Sequence, residues 1–482
     1  MNPIRALSRS VVLFPDVLSP VSVGVCRREN WFDGRSAVVF SGGNEVESLS
    51  ATVNGLPGKY LRIEAEIVAP DPGPDCADVY RLRLSQPGRS DENPLSVPIL
   101  SEVKKMRTVV LEAFYEANPD RPLELRLDRE NGDRRNTCRT ETGVLSLTLR
   151  AICQPDGNQT VRSGDGYNSW PFIQELKGKL ICAYSRGSAH DSFETIRGAW
   201  ARTSADGGRS WREETLISNA PDGGDVVIGK GVDNDGALLL WVRCAGSNWH
   251  HDLYRSEDGI RFRRIAMLKP DPMPVQITDI FTVPGTGLMS LWFAGSYNAD
   301  RPDHSWGTLV SRDNGRSWQQ NVVESGLGYY EWPTEQSAVY LGGGRIFAIA
   351  RTEGRAPDSI RAQFQLESGD SGKTWTRVRT NITDVMTSTP ALLSDNGRLY
   401  LYYYQRGTGQ LRCRTADPEF VRKHPLGWPS PEIVALGSRE RHHAGNVNAC
   451  VSGNGHCLVF YSGNERNTEI LMKTVNPTPD LQ

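Results

Sequence analysis

The chain has 482 residues, enough for two or three domains. Its 55 basic and 57 acidic residues leave a formal net charge of −2, so no overall field favours nucleic acid or an anionic membrane, and an acidic ligand would need local arginine clusters. Hydrophobic residues are 38% of the chain, beside 47 glycines and 29 prolines, a balance that suits many short strands and frequent turns better than long helices.

At the N-terminus Arg5 and Arg9 precede Val11-Val-Leu-Phe-Pro15-Asp16. That apolar run is too short for a secretory leader, and Pro and Asp interrupt it. No run of 18 apolar residues occurs, so no membrane span is expected. The expectation is a soluble protein that is cytoplasmic, virion-associated or exported without a cleaved leader. The nine cysteines are an odd count without a Cys-x-x-Cys pair. No metal-ligand spacing and no disulfide framework follow from them. Cys450 and Cys457 flank a Gly-containing turn and can face each other across a hairpin.

Residues 1–155 alternate in short runs: Ala37–Phe40, Tyr60–Ile67, Val79–Leu84, Leu123–Leu127 and Leu145–Ile152. Period-two alternation broken by Gly, Pro and Asp predicts half-buried strands and an antiparallel β-sandwich. Val103 to Asn118 reads as partly helical, and Pro70–Asp75 as a loop. The sandwich is expected to serve either as a carbohydrate-binding module or as a packing cap. Gln154 to Gly166 is polar and predicts a linker.

Beyond it, six apolar strands each follow a Gly-containing turn: Lys179–Tyr184, Ala237–Val242, Leu288–Phe293, Arg345–Ala350, Arg398–Tyr404 and Cys457–Tyr461. Thr468–Lys473 is a candidate for the strand that closes a ring. Among these strands one phrase, Ser-x-Asp-x-Gly-x-Ser/Thr-Trp, occurs three times. It carries Asp206 and Trp211, then Asp313 and Trp318, then Asp370 and Trp375. A worn copy runs from Ser256 through Asp258 to Phe262, and the steps from Ser204 are 52, 55 and 57 residues, a period of radial repeat folds. The phrase has turn chemistry: Asp and Ser accept bonds from nearby backbone N–H groups, Gly takes positive φ, and Trp plugs the turn into the sheet.

The phrase resembles the Asp-box of the sialidase (neuraminidase) superfamily, and the resemblance covers about residues 165–475. It implies a six-bladed β-propeller, preceded here by the N-terminal β-sandwich. It also implies that the box is scaffold on the rim away from the catalytic face. That family grips an acidic sugar with three Arg, uses a Tyr–Glu pair as nucleophile and an Asp as acid/base. Here Thr334-Glu335 to Arg351 is similar to the family stretch in which a Glu starts one strand and an Arg ends the next. A turn at Gly342–Gly344 would return Arg351 beside Glu335, where a planar guanidinium forks onto a carboxylate; a surface pair is the structural alternative. Thr387 to Arg406 repeats the layout, so Arg406 ends its strand as Arg351 does one blade earlier.

Two positions depart from the family. Tyr167-Asn-Ser169-Trp170-Pro171 places Ser169 where members carry the first Arg. His442-His443-Ala-Gly-Asn446-Val-Asn448 stands where the last blade carries the Tyr. These departures resemble the phage endosialidase branch, which keeps a Glu and two Arg and adds a Trp and a His; Trp170 and His190 match those.

His190 is a candidate proton shuttle or a structural histidine, and Asp191 a candidate acid/base. In an extended segment only one of this pair faces the cleft. Arg186 is a candidate substitute for the missing first Arg. Tyr329, Tyr330 and Trp332 form an aromatic patch suited to a sugar face or to core packing.

The expected function is hydrolysis of an acidic oligo- or polysaccharide, endosialidase-like rather than that of an ordinary exo-sialidase. No cofactor, metal or nucleic acid is expected. Arg351 and Arg406 would hold the carboxylate, Glu335 would act as base, His190 or Asp191 would protonate the leaving oxygen, and without the Tyr the reaction would invert. A polysaccharide lyase acting on a uronate-containing glycan and a non-catalytic glycan-binding adhesin are the alternatives.

Overall fold

The computed structural model describes residues 10–477 apart from 13–18, 21–24, 33, 41–45, 71–78, 88–96, 101–105, 131–140, 153–156, 192–195, 221–222, 298–302, 354–361, 386–387, 441 and 454. Most of the predicted loop at Pro70–Asp75 lies outside the described residues.

The N-terminal alternation builds two antiparallel sheets. One has the order Val25–Phe32, Arg35–Phe40, Thr142–Ile152, Tyr60–Pro70, Met106–Glu116, Val97–Leu100, with Ser10–Val12 pairing beside Thr142–Ile152. The other runs Ser19–Pro20, Val46–Val53, Leu123–Glu130, Val79–Ser85. Leu61, Ile63 and Leu149 from the first sheet and Leu49, Leu82 and Leu125 from the second share one buried core. This is the sandwich that alternation produces when only one face of each sheet is apolar. The helical reading of Val103–Asn118 is overturned, because Met106–Glu116 is a strand paired in unbroken register with Tyr60–Pro70. Its Thr108-Val-Val110 run is β-branched, and an eleven-residue partner strand outweighs weak local helix preference.

From residue 159 the chain forms four-stranded antiparallel units. Four are separate sheets: Gly223–Ser256 with Arg263–Leu268, Gln276–Ser311 with Gln319–Leu327, Pro333–Ser368 with Thr376–Arg379, and Ala391–Ala416 with Glu432–Leu436. Two more are joined in an eight-stranded sheet, one spanning Tyr167–Ser218 and the other made of Ala444–Val475 with Gln159–Arg162. Among the described residues this makes six units. Their first strands contact one another in turn and close a cycle, the arrangement of a propeller. Each predicted apolar strand is the second strand of its unit.

The polar stretch read as a linker contains a strand: Gln159–Arg162 pairs with Thr468–Val475 as the outer strand of the last unit. The ring is thus closed by the chain preceding its first unit. Lys230 ties the centre, its Nζ donating to Gln174 Oε1 (3.0 Å) and the Ala449 carbonyl (2.9 Å), so three units meet on one ammonium.

The Asp-boxes join third to fourth strands. In the second box Ser311 Oγ donates to Asp313 (2.9 Å), and Asp313 accepts from Ser317 N (2.8 Å) and Ser317 Oγ (2.5 Å). Gly315 has a φ of 91°, and Trp318 Nε1 donates to its carbonyl (3.0 Å). The third box repeats this geometry, and in the first Asp206 is held in the same way by Ser204 and Ser210. Ser204, Ser311 and Ser368 pair with Leu180, Leu288 and Ile346, at the starts of the second strands. The boxes therefore lie at the opposite end from Arg351 and Arg406. Cys450 and Cys457 are cross-strand partners and remain buried free thiols.

Candidate active site

Five of the first strands break register where they near the axis: between Ser169 and Phe172, Val227 and Gly229, Ile277 and Ile280, Thr334 and Ser337, and Gly445 and Asn448. A bulge adds a residue and re-aims side chains. Trp170, Ile228, Thr278, Asp279, Glu335 and Asn446 sit at these breaks, and all line one cavity of about 610 Å³. Trp170, Glu335 and Asn446 hold φ of 50°, 46° and 49°, left-handed values that are strained for non-glycine residues and cluster at functional sites.

Glu335 is buried at 8% exposure. Its Oε2 accepts from Thr389 Oγ1 (2.5 Å), and its Oε1 accepts from the Tyr297 hydroxyl (3.3 Å) and pairs with Arg351 Nη1 (2.8 Å). Gly342, Gly343 and Gly344, all at positive φ, make the turn that brings Arg351 opposite Thr334. Arg351 is shared: its Nε lies 2.8 Å from Glu353 Oε1, and its Nη2 donates to Glu353 Oε2 (2.9 Å). Burial works against its charge, but the two carboxylates outweigh that and raise its pKa.

Arg406 differs. Its Nε donates to the Ala444 carbonyl (2.7 Å), and its Nη2 donates to Asn446 Oδ1 (3.2 Å) and the Tyr461 hydroxyl (2.9 Å). These partners are all neutral, so among the described residues no ion pair engages the Arg406 guanidinium at the cavity. A third arginine, Arg243, lines the cavity and donates to the Val275 carbonyl (3.0 Å); burial lowers its pKa to about 10. Sequence reading missed it, although it ends the apolar Leu238–Val242 run just as Arg351 and Arg406 end theirs. Tyr297, Asp279 and Glu353 were also missed. Tyr297 lies in a turn beyond its strand, where periodicity carries no signal. Burial, and then the Glu335 charge, raise the pKa of its hydroxyl well above the ordinary tyrosine range. Asp279 accepts from Lys230 N (3.0 Å) and Asn448 Nδ2 (3.1 Å), and burial raises its carboxyl.

At the cavity edge His190 and Asp191 both line the wall, so the expectation that only one faces it is overturned. The segment is a bend rather than a strand. Arg197 gathers it by donating from Nε to the Asp191 carbonyl (2.7 Å) and from Nη2 to that of Ala189. His190 keeps solvent contact, while its ring packs against Tyr167, Trp170 and His443. Partial desolvation by these rings, then the charges of Arg406, His443 and Arg197, lower its pKa to about 4. The Tyr167 hydroxyl lies within hydrogen-bond distance of His190 Nδ1 (2.9 Å) and His443 Nδ1 (3.0 Å).

Arg197 also donates to Ser169 Oγ (3.2 Å) and lies 4.8 Å from the Trp170 ring centre. A guanidinium therefore does sit beside Ser169, but buried behind Trp170. Arg186 is not among the cavity residues: it pairs with Glu214 (2.9 Å) and stacks on Trp200. Tyr329 reaches the cavity, whereas Tyr330 does not, and Trp332 is wholly buried with Nε1 donating to Ser305. The aromatic patch is chiefly core packing.

Residues 179–416 match the BNR repeat-like domain family. No curated protein matches the sequence. Among solved structures, a protein of unknown function from Dyadobacter fermentans is similar at 16% identity, covering 67% of this chain and 99% of that one, with a TM-score of 0.52. The phage phi92 endosialidase is similar at 10% identity over 68% of this chain and 70% of that one, with a TM-score of 0.51. The NanB sialidase from Streptococcus pneumoniae is similar at 11% identity over 88% of this chain and 97% of that one, with a TM-score of 0.49. At these identities the likeness is one of fold. Among the described residues no helix is long and apolar enough to cross a membrane.

Proposed function

Taking as premise a chain that carries a BNR repeat-like domain and the fold of the sialidase superfamily, we propose that it is a glycoside hydrolase acting on a glycan with a carboxylated sugar, of the sialic or related nonulosonic acid class. The observation that carries this reading is the Glu335 carboxylate, buried in the cavity wall and touched by Arg351, Thr389 and the Tyr297 hydroxyl. Arg406, whose partners are neutral, and Arg243 bind the sugar carboxylate by charge-assisted bonds.

Tyr297 of the third unit, paired with Glu335 of the fourth, supplies the nucleophile–base pair whose tyrosine the His442–Asn448 stretch of the last unit does not provide. A tyrosine with so high a pKa attacks only while its proton passes to Glu335. The covalent intermediate then makes the reaction retaining rather than inverting. His190, lowered to about 4, is neutral at pH 7, and Asp191 beside it at the cavity edge is the other candidate for the group that protonates the leaving oxygen. Glu335→Gln is expected to abolish release of reducing ends from acidic glycans, polysialic acid included, with an unchanged circular dichroism spectrum; full activity in that variant would sink the assignment. If Tyr297→Phe kept full activity while Glu335→Gln had none, Glu335 would act directly on water.

A second reading draws on the same neutral His190. It would abstract the proton beside a uronate carboxylate in a lyase. An unsaturated, ultraviolet-absorbing product would mark that reaction, since hydrolysis forms none.

A further inference from the structure

Behind the cavity wall, on the face of the second unit turned toward the first, four ligand-bearing side chains lie together across three strands. Asp225 on Gly223–Val232 is the cross-strand partner of Cys244 on Leu238–Gly246, and Cys244 is the partner of His250 on His250–Ser256. Asp252 follows two residues after His250, which in a strand puts it on the same face. The ligand atoms of Cys244, His250 and Asp252 all lie within 4.8 Å of one another. Cys244 Sγ is 3.9 Å from Asp252 Oδ2, and His250 Nε2 is 3.6 Å from Asp252 Oδ1.

Two further observations point to a ligand. Asp252 and Asp225 are buried at 2% and 0% exposure, and each leaves its Oδ1 without a hydrogen-bond partner among the described residues. Their other oxygens are fixed: Arg264 donates to Asp252 Oδ2 (3.1 Å), while Ser218 Oγ (2.5 Å) and Ala220 N (2.9 Å) donate to Asp225 Oδ2. Buried carboxylate oxygens with no donor are costly unless something positive meets them. In addition, His250 Nδ1 lies 2.6 Å from the Asn248 carbonyl. That contact places the ring proton on Nδ1 and turns the Nε2 lone pair toward Asp252 and Cys244, the second-shell arrangement of metal-ligating histidines.

We propose that Cys244, His250 and Asp252, with the Asp225 carboxylate beside them, form a site for a borderline-soft divalent cation of the zinc class. One thiolate, one imidazole and two carboxylates favour zinc over calcium or magnesium, which prefer all-oxygen shells. Binding releases the Cys244 thiol proton to solvent, leaving two carboxylates and a thiolate against the dication and Arg264. Such a site cannot be read from spacing, because its ligands come from three strands and only His250-x-Asp252 is local. Its position gives it a role. Arg243, adjacent to Cys244, points to the opposite face and lines the cavity, and Asp225 N donates to the Arg197 carbonyl (3.1 Å). A bound cation would clamp the wall that presents Arg243.

The test uses the full chain, stripped with a chelator, dialysed and titrated with zinc(II), then with cobalt(II) as a spectroscopic probe. One zinc per chain is expected, with a raised melting temperature and a thiolate-to-cobalt charge-transfer band. Cys244→Ser should lose the band, and His250→Gln should weaken zinc binding at least about tenfold. His250 is half-buried, so its variant tests the site even if Cys244→Ser fails to fold. Cys182→Ser, altering another buried thiol, should bind as the parent does. Absence of stoichiometric zinc, or binding unchanged in His250→Gln, would overturn the proposal.

Discussion

Among single residues, Glu335, Arg351 and Arg406 were legible because each ends or begins a strand next to a Gly turn, and register then fixes where the side chain arrives. Arg243 obeys the same rule and was passed over only because no acidic partner marked it. Tyr297 and Arg197 lie in connections outside any periodic stretch, and position there depends on tertiary packing. The contrast between Arg351, shared by two carboxylates, and Arg406, whose partners among the described residues are neutral, separates their roles. Arg406→Ala is expected to lower kcat/KM for a carboxylated substrate roughly 30-fold, about 2 kcal/mol for a charged hydrogen bond, chiefly through KM. An uncharged analogue of the same glycan should lose far less, which steady-state kinetics on the pair would show.

Among elements, the Asp-box was the clearest word in the sequence because all of its interactions are local. The hydroxyl, carboxylate and glycine sit within eight residues, so sequence spacing is spatial spacing. Asp313 accepts three bonds within its own turn. Asp313→Ala should cost about 1–2 kcal/mol, in the manner of a lost helix cap, with activity unchanged below the melting range because the box lies at the end away from the cavity. Chemical denaturation read beside activity checks both halves. Bulges were not legible, since an extra residue in a strand leaves no signature in alternation until its partner is known. The strand Met106–Glu116 was misread for a related reason: its partner lies some forty residues earlier in sequence, and a single window cannot contain both.

For the whole molecule, two buried histidines make stability depend on pH. Burial lowers His251 to about 3 from an ordinary 6.5, and burial also lowers His456. Below about pH 6.5 the unfolded chain takes up protons that the folded chain refuses, at His251 until about pH 3. Stability is therefore complete above 6.5 and falls as pH drops through that window, by at most ~1.4 kcal/mol per pH unit for His251. Thermal melts from pH 7 to 4 should show the decline. His251→Gln, which preserves a donor to the Pro274 carbonyl, should flatten it.

The short strand Gln159–Arg162 gives the ring a clasp made from its own beginning. During synthesis that strand leaves the ribosome first and must wait, unpaired, until Thr468–Val475 emerges some three hundred residues later. The clasp therefore cannot close before the whole ring has been synthesised, and closure is expected late in folding. A chain that starts at Tyr167 would keep every cavity residue yet have no clasp. It should melt earlier and open from the last unit first, seen as early hydrogen exchange in Gly455–Gly463 and Thr468–Val475, whereas in the intact ring no unit is an end.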